Sequence, residues 1–73
     1  MKIKLLEIIN QVRQNKGLEP LIEIQPELNL RNDIGFTSFD LAELTVRIED
    51  EFDVDIFEDG LVNSIGEIIL KLK

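Results

Sequence analysis

The stretch FTSFDLAELTVRIEDEF, residues 36–52, decides the fold. Leu41, Leu44, Ile48 and Phe52 recur at the spacing of one helix face, with Thr45 completing the pattern. Asp40, Glu43, Arg47 and Asp50 mark a second, charged face. Thr37 precedes the run with an acidic residue, Asp40, three positions on, which is a weaker form of the capping box. Asp40 and Glu43 also lie early in the helix, where negative charge complements the dipole.

Working outward, Gly35 supplies a tight turn just before this helix. Upstream, LEPLIEIQPELNLRNDIG carries Pro20 and Pro26 and no sustained helical period. It reads as a long loop pinned to the core by Leu21, Ile24, Leu28 and Leu30, with a short strand at Ile22 to Ile24 as the competing reading. Leu5, Ile8, Ile9 and Val12 predict a first helix from about Lys2 to Lys16, with Gly17 ending it. Downstream, DVDIFEDG breaks the pattern, and residues 57–61 read as one irregular turn. Asn63 or Ser64 then caps a last helix whose apolar face is Ile65, Ile68, Ile69 and Leu72, with Lys71 and Lys73 at its negative end. The expectation is an all-α fold, a small three- to four-helix bundle with a long loop between helices 1 and 2, forming a single domain over residues 1–73.

Composition narrows the function classes. The chain has no Cys and no His, so thiolate nucleophiles, imidazole bases and the usual zinc sites are excluded within it. A net charge of −7 argues against nucleic acid and favours protein partners with basic surfaces. In the opening MKIKLLEIINQV, Glu7 interrupts the apolar run and no small-residue cleavage site follows. No stretch reaches bilayer-spanning length, and a cytoplasmic location is the default expectation. Asp53, Asp55 and Asp59 have the acidic spacing from which a calcium loop could draw ligands. Phe57 and Glu58 occupy the positions where an EF-hand needs an oxygen ligand and a glycine, so no metal site is expected.

Ser38 has two readings from its residues alone. It helps Thr37 cap the helix, the usual role of a hydroxyl there, or it is a hydroxyl offered to another enzyme. Serine catalysis by the chain itself lacks a base, since no His is present and no Lys lies near in sequence. A negative group attached at Ser38 would sit at a helix N-terminus, where free N–H groups and the dipole favour an anion by roughly 0.3–1 kcal/mol. The acidic residues of the central helix likewise read first as a solvated face, and the apolar stripes as core.

LNLRNDIGFTSFDLAELTVRIEDEFDVDI, residues 28–56, resembles the core of acyl carrier proteins, whose second helix opens with an Asp-Ser-Leu motif. The motif's serine falls on Ser38, its glycine on Gly35, and the aspartate and hydrophobic residue before that glycine on Asp33 and Ile34. Thr37 stands where the family usually has Asp, and Phe39 where it has Leu. FEDGLVN is shorter than the usual segment, so the family's small third helix would reduce to a turn.

The resemblance implies a carrier and not an enzyme. Ser38 would hold a covalent 4′-phosphopantetheine arm taken from coenzyme A, with Gly35, Thr37 and Phe39 around it. Asp40, Ala42, Glu43, Val46, Arg47, Glu49 and Asp50 would meet partners: a phosphopantetheinyl transferase, then acyltransferase, ketosynthase or acyl/aminoacyl ligase enzymes. Leu41, Leu44, Ile48, Phe52, Ile56, Ile65 and Ile69 would shelter an acyl chain, and the protein would act as a monomer. A carrier of aminoacyl or peptidyl groups, and an unmodified helical interaction module, remain as alternatives.

Overall fold

The structure, a computed structural model, describes residues 2–58, 60 and 62–72. Three helices appear among them: α1 Lys2–Asn15, α2 Ser38–Phe52 and α3 Ile65–Leu72. Helix α1 ends on Gly17 at φ +82°, a left-handed turn that glycine adopts without side-chain penalty. Leu18 N–H donates to the Arg13 carbonyl and Gly17 N–H to that of Gln14, which satisfies the last open carbonyls of the helix.

Helices α1 and α2 run antiparallel. Lys16 at the end of α1 meets Asp40 at the start of α2, while Lys4 near its beginning lies 3.4 Å from Glu51 near the end of α2. Leu5, Ile9 and Val12 of α1 pack with Leu41, Leu44 and Ile48 of α2 and with Ile65 and Ile68 of α3. Burying each such side chain contributes roughly 1.5–3 kcal/mol, so this shared interior, more than helix propensity, holds short helices in place.

The long loop is pinned as the sequence predicts. Ile24 and Leu30 are buried, and Leu21 and Leu28 are half-buried against the core. The competing strand at residues 22–24 does not form, and Ile22 is 95% exposed. Instead the loop pairs with the start of α3 through a single bridge between Asn29 and Ser64. Leu30 N–H donates to the Asn63 carbonyl at 2.8 Å and Ile65 N–H to that of Leu28 at 3.0 Å. The same loop lies tight on α3, because a Cβ at Gly66 would sit 3.0 Å from the Pro26 carbonyl oxygen. Several backbone polar groups of this long segment are thus paired with other elements, as a loop against a core requires.

After α2, Asp53 takes a left-handed conformation at φ +58° and its N–H closes on the Glu49 carbonyl. Residues 56–58 form a turn, as the irregular-turn reading expects; Asp59 and Leu61, also part of that reading, lie outside the described residues. Lys73, expected at the end of the last helix, lies outside them too. Helix α3 begins where the sequence places it, and Ser64 caps it: its hydroxyl oxygen accepts from Glu67 N–H at 3.3 Å. No helix among the described residues is long and apolar enough to cross a membrane.

Candidate functional site

The start of α2 is held from three sides. Thr37, in extended conformation, caps the helix: its hydroxyl oxygen accepts from Asp40 N–H at 3.3 Å, and the Asp40 carboxylate accepts from Thr37 N–H at 2.8 Å. The short side chain of Asp40 thus closes the reciprocal box that Glu usually closes. Lys16 then reaches from the end of α1, its Nζ donating to the Asp40 carboxylate at 2.5 Å and to the Gly35 carbonyl at 2.8 Å. The Arg13 guanidinium donates to the carbonyls of Ile34 and Glu19, so the turn into α2 is held by one cation of α1 and one just past its end. Gly35 adopts φ +86°, and a Cβ there would meet Leu18 at an ordinary 3.6 Å; the backbone conformation, not crowding, selects glycine.

Asp40 corrects the expectation that it faces partners. It is only 6% exposed and faces inward to Lys16. Burial alone would push its carboxyl pKa up. Hydrogen bonds from Lys16 and from the Thr37 backbone and hydroxyl, with the lysine's charge, outweigh burial and hold it below the ordinary aspartate value. Glu43 and Arg47, also expected to meet partners, are paired with each other. They are half-buried, joined by an Arg47 Nε to Glu43 Oε2 bond of 2.9 Å, and Asn15 of α1 reaches Glu43 at 3.5 Å. The cation expected on the partner face is therefore neutralised on the flank toward α1.

The remaining expected contacts lie on the open side of α2. Phe39 is 78% and Val46 67% exposed, and Ala42, Glu49 and Asp50 are exposed with them. Val46, Glu49, Asp50 and the unforeseen Asp53 line a shallow depression there. One helix thus carries two acidic flanks with different fates.

Ser38 is exposed at the first position of α2. The chain has four hydroxyl groups, on Thr37, Ser38, Thr45 and Ser64. Thr37 and Ser64 cap helices, and Thr45 donates to the Leu41 carbonyl at 2.8 Å. The Ser38 hydroxyl oxygen instead receives Nη2 of Arg31 at 2.7 Å, with no acceptor for its own proton among the described residues. Arg31 escaped the sequence reading because it lies in the aperiodic loop, where no spacing ties it to Ser38.

Beside Ser38 lies an open cleft of about 200 Å³ lined by Arg31, Leu41, Ala42 and Phe57. Of the seven residues expected to shelter an acyl chain, Leu41 lines this cleft. Leu44, Ile48, Ile56 and Ile65 are fully packed into the core, and Phe52 and Ile69 are half-buried against it. Arg31, Ala42 and Phe57 at the cleft were not among the seven. Among the described residues no group of three His, Cys, Asp or Glu is arranged to hold a metal ion.

This arrangement suits a covalent phosphate ester. It offers an accessible hydroxyl, a helix N-terminus beside it and a guanidinium already within hydrogen-bond distance. Comparison with known proteins points to the same chemistry. A family model described as "Phosphopantetheine attachment site" matches residues 5–69. A curated "Acyl carrier protein" of Syntrophus aciditrophicus (strain SB) is 43% identical over 53 residues, which cover 70% of this chain and 66% of that protein. Another, from Syntrophobacter fumaroxidans (strain DSM 10017 / MPOB), is 39% identical over 57 residues, covering 77% of this chain and 64% of that protein. The matched part of the chain thus spans just under two thirds of the length of these curated relatives. No solved structure gives a significant match. With the family model covering nearly all of its helices and the core they share, this chain belongs to the phosphopantetheine attachment-site family.

Proposed function

We propose that the chain is an acyl carrier domain, with Ser38 as the residue that receives the 4′-phosphopantetheine arm. The supporting observation is the fate of the hydroxyls: three are bonded to backbone, and the fourth is exposed at a helix start beside a cation. In the modification the Ser38 oxygen forms a bond to the phosphorus of coenzyme A that bears the pantetheine. The bond from that phosphorus to the rest of the diphosphate breaks, and adenosine 3′,5′-bisphosphate leaves. The serine proton passes to a base on the transferase, because this chain has no His and, among the described residues, no carboxylate is bonded to the hydroxyl.

Once attached, the arm supplies the thiol that a chain without Cys lacks, and acyl groups ride on it as thioesters. The chain's own part is to anchor, orient and present. Gly35 and Thr37 set the anchor's position, and Phe39, Ala42, Val46, Glu49 and Asp50 form the surface shown to transferase, acyltransferase, ketosynthase or ligase partners. Exposed charges of this kind give at most about 1 kcal/mol each, which suits partners that must release quickly. Residues 1–73 act as one such domain, without catalysis of their own, in the cytoplasm where coenzyme A is drawn upon.

Intact mass tests the reading after incubation with coenzyme A and a broad-specificity phosphopantetheinyl transferase. Wild type should gain one arm and Ser38→Ala none. Gain by both would overturn the assignment to Ser38, and gain by neither would favour the unmodified interaction module.

A further inference from the structure

We propose that Arg31 is the residue that holds the phosphodiester joining the arm to Ser38, a role that rests on the carrier reading above. Its guanidinium already donates to the Ser38 oxygen at 2.7 Å. A phosphorus bonded to that oxygen brings its free oxygens into the space the remaining guanidinium donors face. The planar fork of Arg suits two-point pairing with phosphate, whereas Lys acts as a point charge.

The backbone under Arg31 is fixed independently of Ser38. Asn29 accepts from the N–H groups of Arg31 and Asn32 at 2.9 Å each, and the Asp33 carboxylate accepts from Asn29 N–H at 2.7 Å. Leu30, fully buried next to it, ties the turn to the core, and Phe36 N–H closes back on the Leu30 carbonyl. Asp33, the nearest acid in sequence, is thereby engaged on the backbone and leaves the guanidinium to Ser38. In a chain with net charge −7, a further anion at Ser38 gains most where a cation stands ready. The pairing also biases the arm toward the Arg31 side of α2, over the cleft lined by Leu41 and Phe57, and away from Phe39.

The pair is exposed, so it is salt-sensitive, and that makes it measurable. The test follows arginine side-chain N–H resonances of the wild-type chain before and after loading, with the load confirmed by intact mass. The Arg31 resonances should shift on loading and return toward their unloaded positions as salt is raised to about 1 M, where screening acts within about 3 Å. Arg13, held by the carbonyls of Ile34 and Glu19, serves as the internal reference and should stay in place. The phosphorus resonance of the loaded protein should show the same salt response. Arg31→Gln should lose most of that response, and Arg31→Lys should keep part of it. A loaded wild type whose Arg31 resonances do not move, or a phosphorus response equal in wild type and Arg31→Gln, overturns this proposal and leaves the carrier reading standing. A wild type that never gains the arm overturns both.

Discussion

Helices α2 and α3 begin alike and end with different uses for a hydroxyl. Each opens on a hydroxyl residue with an acid three positions later: Thr37 with Asp40, and Ser64 with Glu67. In both, the hydroxyl oxygen accepts the backbone N–H of that acid at 3.3 Å. At α3 the chain places Ile65 next, and the only serine there is consumed by the cap. At α2 it places Ser38 next, inside a cap already made by Thr37. The difference teaches that a cap completed by Thr37 leaves the adjacent Ser38 hydroxyl out of backbone bonding, which the proposed anchoring role requires. A serine becomes available to outside chemistry when its neighbour has taken the structural role.

The largest effect expected from this comparison is in loading. Ser64→Ala should accept one arm as wild type does, while Ser38→Ala accepts none, read by intact mass. An arm on Ser38→Ala would erase the distinction between the two helix starts.

Next in size is the further restraint at α2, where the acid of the cap is also paired with Lys16. Asp40→Ala removes the reciprocal cap and the partner of Lys16, and should cost about 2 kcal/mol in urea unfolding. A loss under about 0.5 kcal/mol, the scale of an ordinary surface change, would mean that Lys16 and Asp40 do not secure the site. The shared feature should cost less and cost similarly at both ends. Thr37→Ala and Ser64→Ala should each lose about 1 kcal/mol, as cap removal does elsewhere.

The smallest effect is in pH. The folded-state pKa of Asp40 is depressed, so its contribution is fully present above the unfolded aspartate value near 3.9. It is lost as pH falls through the lower folded value. Wild type should therefore lose stability more steeply than Asp40→Asn below about pH 4, and parallel acid unfolding curves would contradict it.

Much of the fold was legible because it rests on local regularities. The apolar spacing in residues 41–52 and 65–72, the Thr37 cap and the glycine after α1 all act within a turn or two of chain. The loop pins were legible for another reason: Ile24 and Leu30 are apolar residues in a segment that forms no helix, and burial is their cheapest state. Asp40 was misread because helical spacing places it on a stripe with Glu43 and Arg47 without saying which neighbour that stripe meets. Its partner Lys16 lies 24 residues away. Arg31 was missed for the same lack of a local signal.

By itself, then, the order of residues determined the helical pattern of the first, central and last elements and the Thr37 cap with a second hydroxyl just inside it. These follow from backbone hydrogen bonding and side-chain period, which reach only a few residues. Tertiary structure decided which flank of α2 is clamped by α1 and which stays open, and it brought the Arg31 guanidinium to Ser38. Such choices depend on how elements far apart in the chain pack around a common interior. Coulomb and hydrogen-bond partners are selected there by position in space, which no spacing along the chain encodes.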